Sequence, residues 1–332
     1  MTINELKALL KQNFVSTPDI NFTEVQSATR NAISEFYELE GLSPRQIKAN
    51  KALIMALIEE VVDELLPEKL QDRIGMFAEV KQYARDAEVI FQIKGKGKRR
   101  AYLTIKKGQR AGMYQAARLD DIQMSLPTWT ETVAVFVTLE EILLGKYSLA
   151  ELMNNILDGF VERLYVQVIE ALQAATVPAA NQASAADINT TELDAIIRVI
   201  AAYGSPVIMG FHNVISKINN SQFISDSNPN TPTSDLDEIK DKGYIGKYKG
   251  VPIVKLPNYI LDEQNTTWML DESKLFILPS GDRPVKVALK GDLHLQEVLH
   301  PTGSAEWNAH KMLGVGLLLT NNIGIYTDTA EE

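Results

Sequence analysis

The side chains to test first for chemistry are the four histidines, His212, His294, His300 and His310. No two have the HExxH spacing that sets two imidazoles on one helix face. Metal binding needs a convergent ligand set, and scattered histidines do not supply one. The chain has no cysteine, which excludes disulfides, thiol chemistry and cysteine-based zinc sites. There is no GxSxG nucleophile elbow, no GxxxxGK[ST] phosphate loop, and no GxGxxG after a strand. The acidic pairs Asp120-Asp121 and Glu140-Glu141 are adjacent residues, whose side chains diverge on a strand or a helix. Carboxylates distant in sequence can still converge, so this pattern lowers the expectation of an enzyme without removing it. The reading is no catalytic residues, no metal and no cofactor.

One charged stretch stands out. Lys94, Lys96, Lys98, Arg99, Arg100, Lys106, Lys107 and Arg110 lie within 17 residues with no acidic residue among them. Three readings are open. Gly95 and Gly97 in KGKGKRR are spaced as in a phosphate cradle, but the Lys-Ser/Thr element and the following helix are missing. The stretch could be a solvated hairpin tip. It could also dock on an acidic surface of a neighbouring subunit, where charge complementarity fixes register and partner choice. Single-stranded nucleic acid would call for interleaved aromatics, and only Tyr102 sits among these charges.

The elements that must position such residues are legible from periodicity. The strongest spans 148–176, where Leu152/Met153, Ile156/Leu157, Phe160/Val161, Leu164/Tyr165 and Val168/Ile169 recur at helical spacing. Ser148 and Glu151 form a capping box, and Pro178 follows the last turn. The helix would be roughly 40 Å long at about 1.5 Å per residue. Its four-residue repeat drifts round the cylinder, so it presents different sides to different neighbours.

Before it, residues 1–75 read as three helices: one on Ile3, Leu6, Leu9 and Leu10, one on Phe22, Val25, Ala28, Ile33 and Phe36, and a third from Ser43-Pro44 to Pro67. They suit an independent bundle or an arm that packs on a partner chain. AEVIFQI and AYLTI read as strands joined by KGKGKRR, and IQMSLPTWTETVAVFVTL continues in β character.

After the long helix, 174–187 reads as a small-residue linker. A helix TTELDAIIRVIAAYG follows, capped by Thr190 or Thr191 and stopped at Gly204. PVIMGF reads as a buried strand, HNVISKINN as a short helix, and 225–241 as a long polar loop. TWMLDESKLFILPS contains another strand. VKVALKGDLHLQEVLHP and EWNAHKMLGVGLLLTNNIGIYTD read as two long strands, the second with a glycine-marked kink that signals a bulge or close backbone approach, before an exposed acidic tail.

With 332 residues and 45% apolar content, the chain can build more than one core. The N-terminus has no charged leader followed by an apolar run, and no stretch reaches the ~20 apolar residues of a membrane span. A net charge of −10 argues against a dedicated nucleic-acid binder. The bulk reading is a soluble chain made in the cytoplasm.

At GYIGKYKGVPIVKLPNYI the sequence resembles a glycine element found late in the major capsid proteins of tailed bacteriophages, which have the Hong Kong 97-like fold. Gly243 and Gly246 permit a tight approach, Tyr248-Lys249-Gly250 a turn, and Pro252 begins a strand carrying Val251, Ile253 and Val254. The order of elements over about residues 76–330 is similar to that family too. The resemblance implies an α+β fold divided into a helical arm (1–75), an extended hairpin or E-loop (76–130), a peripheral domain with the spine helix (131–188), an axial domain (189–285) and closing peripheral strands (286–332).

It also implies hexamers and pentamers in an icosahedral shell enclosing double-stranded DNA without sequence-specific contacts. Portal, scaffold and decoration proteins would be partners, the virion the location and the host cytoplasm the assembly site, with no membrane. The eight basic residues would sit at the E-loop tip, reaching over an adjacent subunit. Some relatives crosslink an E-loop lysine to an asparagine, but residue type alone identifies none here. The competing readings are an encapsulin-type compartment shell, against which the long N-terminal region weighs, and an enzyme with an unrecognised site.

Overall fold

The protein's structure, a computed structural model, describes residues 44–93, 122–136, 149–219, 246–280, 283–299, 305–317 and 320–330. The first two expected helices, the AYLTI strand, the Ser148 cap and the 225–241 loop lie outside the described residues.

Pro44–Ile74 forms one helix, α1. It begins at the proline expected to open it, but it does not stop at Pro67. Ile58, Val61, Val62, Leu65, Leu66, Leu70 and Ile74 are all buried, so the apolar stripe crosses the proline unbroken. Pro67 removes the donor to the Asp63 carbonyl four residues back, a change that costs about 3 kcal/mol in a helix interior. Gln82 Nε2 approaches that carbonyl at 3.4 Å. Burial of Leu70 and Ile74, at roughly 1.5–3 kcal/mol each, offsets the remainder.

Strand β1 (Ala78–Tyr83) follows, then β2 (Ile90–Ile93), β3 (Ile122–Ser125) and β4 (Trp129–Phe136). The long helix α2 spans Leu149–Gln173. The stripe read from the sequence, Leu152 through Ile169, is buried throughout and extends to Leu172. As its drift requires, α2 meets several neighbours: α1, β4 and the two long C-terminal strands, β10 (Val285–Leu299) and β11 (Ala305–Leu317). It crosses β4 closely, because a Cβ at Gly159 would stand 3.0 Å from a Val133 methyl.

These strands form a four-stranded sheet in the order β1-β10-β11-β4, with β1 parallel to β10 and the other pairs antiparallel. The irregularity expected in the last strand region lies in β10 instead. Between paired positions Lys290↔Met312 and His294↔His310, β10 advances four residues while β11 advances two, and Gly291 takes a φ of +68°. Gly314 and Gly316 mark the close backbone approach that the glycines signal: a Cβ there would meet the Pro127 carbonyl oxygen at 2.7 Å and a Leu126 methyl at 2.3 Å.

A second sheet has six strands: β5 (Gln182–Ala185), β12 (Gly324–Asp328), β9 (Lys274–Pro279), β6 (Pro206–Gly210), β8 (Val251–Lys255) and β7 (Lys247–Tyr248). Helices α3 (Thr190–Ile200) and α4 (His212–Asn219) pack on it through Leu193, Ile196, Ile200, Val214, Ile215 and Ile218.

Three expectations are corrected here. The linker 174–187 contains a 3-10 turn and β5, because buried Asn181 donates to the Asn321 and Ile323 carbonyls and β5 pairs with β12. The cap of α3 is Asn189, whose Oδ1 accepts from the Thr191 N–H at 3.1 Å; asparagine is the stronger cap. The last long strand is two strands, β11 and β12, in different sheets.

Candidate assembly surfaces

Ile93 and Ile122 are register partners in the antiparallel pair β2–β3, so residues 94–121 leave and rejoin the fold at one point. That base is firm. Val89, Phe91, Leu126 and Ala288 form a small buried cluster. The Tyr83 hydroxyl donates to the Ile90 carbonyl at 2.8 Å, and its ring meets Phe91 edge-on at 5.8 Å. The glycines of β11 admit Leu126 and Pro127 against the sheet. The residues singled out for charge, Lys94, Lys96, Lys98, Arg99, Arg100, Lys106, Lys107 and Arg110, lie outside the described residues. Among the described residues β2 pairs with 122–125, and the AYLTI segment lies outside them.

In the glycine element Gly243 lies outside the described residues, while Gly246, Gly250 and Pro252 are placed. Lys249 and Gly250, at φ +47° and +84°, form the two-residue turn between β7 and β8, the primed geometry that suits strand twist. The Gly246 carbonyl accepts from the Ile253 N–H at 2.8 Å and closes the hairpin behind the turn. Pro252, exposed, pairs in register with Lys247, while Ile253 joins β8 to β6. The element is seated on α3: the Tyr248 hydroxyl reaches Asp194 Oδ1 at 3.2 Å, and Lys249 pairs with the same carboxylate. The Lys249 ammonium is held above its ordinary value, chiefly by that hydrogen bond.

Two polar clusters carry no sequence signature. At the β10 irregularity, Lys311, only 4% exposed, pairs with Asp63 of α1 and donates to the Gly291 carbonyl at 2.6 Å. Asp63 also accepts the Leu293 N–H, and Glu59, one turn earlier, accepts the Leu295 N–H, both at 2.6 Å. Where β1 ends, these carboxylates continue its role along the edge of β10. His294 and His310, scattered in sequence, stack across β10–β11 with ring centres 6.5 Å apart. His310 Nδ1 contacts Thr132 Oγ1 at 2.7 Å, and His294 lies 3.6 Å from Glu59.

The second cluster corrects the place of Asp328, expected in the exposed acidic tail, whose last two residues lie outside the described ones. Asp328 is fully buried, paired with Lys217 at 2.7 Å, and it accepts the N–H groups of Asp187 and Ala330. Burial alone would raise its carboxyl, but the Lys217 hydrogen bond and the two N–H groups outweigh that and hold it below the ordinary range. Among the described residues no group of three or more histidines and carboxylates could hold a metal ion, and no helix is long and apolar enough to cross a membrane.

The frame is two sheets with α1 and α2, and the paired ends of β2 and β3 close the base from which residues 94–121 leave it. A family model for a phage-derived capsid protein matches residues 5–327. The chain belongs to that family, described as "SPbeta prophage-derived putative capsid protein YonB". No curated protein matches the chain in sequence. Among solved structures it is similar to the capsid of an empty GTA particle (12% identity, TM-score 0.49, covering 76% of this chain and 94% of that one). It is also similar to the capsid of cyanophage P-SCSP1u (11%, 0.48, 76% and 86%) and to a virus-like particle from Pyrococcus furiosus (13%, 0.45, 80% and 98%).

Proposed function

We propose that this chain is a major capsid protein of the Hong Kong 97-like type, assembling as hexamers and pentamers into an icosahedral shell around double-stranded DNA. The observation that carries the reading is the capsid-family match over residues 5–327. The order of elements supports it: a long buried helix between two β-rich regions, and a basic segment springing from the closed β2–β3 base. In this reading α2 is the spine of a peripheral domain (131–188, with closing strands from 286–332). Residues 189–285 form the axial domain, 76–130 the E-loop region and 1–75 an arm. The eight basic residues lie across an adjacent subunit, and the glycine element with Gly243, Gly246, Gly250 and Pro252 faces the capsomer centre. DNA is enclosed without sequence-specific contacts, and portal, scaffold and decoration proteins attach to the shell.

Electron microscopy of the purified full chain tests this. Large icosahedral particles are the expected result, small uniform shells with protein cargo would indicate a compartment, and a stable monomer would refute a shell role. Reversing the charge of Lys96, Lys98, Arg99 and Arg100 together should abolish particles while the circular dichroism spectrum stays that of the folded subunit. Normal particles from that variant would remove the docking role of the basic segment.

A further inference from the structure

Between β8 and β9 the chain makes a ribbon, residues 256–272, that holds three large apolar side chains out of the core. Leu261 is 62% exposed, Trp268 48% and Ile260 42%. They are not on a slack loop. Ile260 and Trp268 form an antiparallel bridge, the Leu261 N–H donates to the Thr267 carbonyl at 2.9 Å, and the Met269 N–H to the Tyr259 carbonyl at 2.8 Å. The tip is tied by Asp262, whose carboxylate accepts the N–H groups of Thr266 and Thr267 and the Thr266 hydroxyl. Those bonds, the Thr266 hydroxyl first, hold the Asp262 carboxyl below its ordinary value although it sits in water. Asn265 completes the turn at φ +59°, a conformation asparagine tolerates.

The base is tied as firmly. Asn258 donates to the Leu270 carbonyl and to Glu272, and accepts the Leu270 N–H. The Tyr165 hydroxyl of α2 donates to the Pro257 carbonyl at 2.6 Å, and Tyr165 and Tyr259 both pack against the Arg73 guanidinium. A ribbon pinned this way loses little freedom on binding, and clustered aromatic and aliphatic anchors are what interface hot spots are made of.

Its charge identifies the occupant. Residues 256–272 contain Asp262, Glu263, Asp271 and Glu272 and no lysine or arginine. Residues 94–110 contain eight lysines and arginines, no acid, and the apolar Tyr102, Leu103 and Ile105. The two segments are complementary in charge, and both carry apolar side chains. Among the described residues nothing covers the ribbon's anchors, and a second copy offers a segment of matching charge to cover them. We infer that the 256–272 ribbon is the receiving site for the basic segment of a neighbouring copy: Leu261 and Trp268 pack on its apolar residues, an arginine lies over the Trp268 ring, and Glu263 pairs with its lysines. This rests on the shell reading above and names the partner surface that the reading leaves open.

Zero-length carbodiimide coupling on particles assembled from a mixture of nitrogen-14 and nitrogen-15 labelled full-length chains tests it. Mass spectrometry should find Asp262 or Glu263 joined to lysines of 94–107 in isotopically mixed pairs. Pairs of one isotope only, or a ribbon joined solely to other segments, overturn the inference. In parallel, Leu261→Asp changes a side chain already mostly in water, so it should fold normally yet give about tenfold fewer particles or worse, the scale of losing one anchor. If Leu261→Asp assembles as wild type while the fourfold charge reversal does not, the receiving site is wrong and the shell reading stands. If the wild-type chain forms no particles, both fall.

Discussion

Lys311→Met is the most direct test of how the C-terminal strands are held. Methionine keeps most of the side-chain volume and removes the ammonium. Lys311 is 4% exposed and the Asp63 side chain 20%, so the pair is nearly out of water. Without the ammonium, the Gly291 carbonyl loses its donor, which costs about 1–3 kcal/mol for a buried acceptor. Asp63 keeps the Leu293 N–H but loses its counter-charge. Breaking a buried pair from one side costs about 3–5 kcal/mol, and residual hydration of Asp63 relieves part of that. The two losses are one event seen from two partners, so the expected total is about 3 kcal/mol rather than their sum. Urea unfolding of dissociated subunits, followed by far-UV circular dichroism and extrapolated linearly, reads it. Asp63→Leu combined with Lys311→Met removes both charges, so the double variant should lose less than the two single variants added together. A loss below about 1 kcal/mol for Lys311→Met, or strict additivity, would refute the account of the bulge, because a true buried pair cannot give either result.

Acid stability should depend on Asp328. Its folded carboxyl lies below the ordinary range, so its contribution is fully present above about pH 4 and is lost as pH falls through the lower folded value. Asp328→Asn should therefore be less stable at neutral pH and show a flatter decline below about pH 4, read as urea midpoints across the acid range. In the glycine element, Gly250→Ala should cost about 1–2 kcal/mol, since φ is +84° and nothing crowds the position; an unchanged urea midpoint would show that the turn rearranges freely.

Periodicity alone located the long helix. Its buried positions run from Leu152 to Ile169 as read, and its last residue is Gln173 rather than Thr176. Helical burial repeats locally, so a local pattern can report it. The glycine turn at Lys249-Gly250 was legible for the same reason, since positive φ at two neighbouring residues selects for Gly at one of them. What sequence could not give depends on distant partners. Pro67 looks like a stop until Leu70 and Ile74 are seen in the core. Asp328 looks like part of a solvated tail until Lys217 closes over it. His294 and His310 look unrelated until the register of β10 and β11 sets them face to face. The ribbon at 256–272 had a local signal, an aspartate four residues before a Thr-Thr pair, but its exposed anchors show only once their neighbours are placed.

The same long-range ties bear on when each part of the subunit is completed. Asp63 and Leu293 are bonded across 230 residues, and Lys311 and Asp63 across 248. The small core under β2–β3 needs Ala288 of β10, and Leu126 seats only against the glycines of β11. Loop-closure entropy is met before such contacts return any stabilisation. The base that carries the basic segment is therefore complete only after residue 316 has joined the sheet. The base of the ribbon draws on Arg73, Tyr165 and Tyr259, all earlier in the chain. The ribbon's Leu270 shares its core with Leu313, Ile323 and Ile325, so both surfaces proposed to meet between copies draw on the end of the chain.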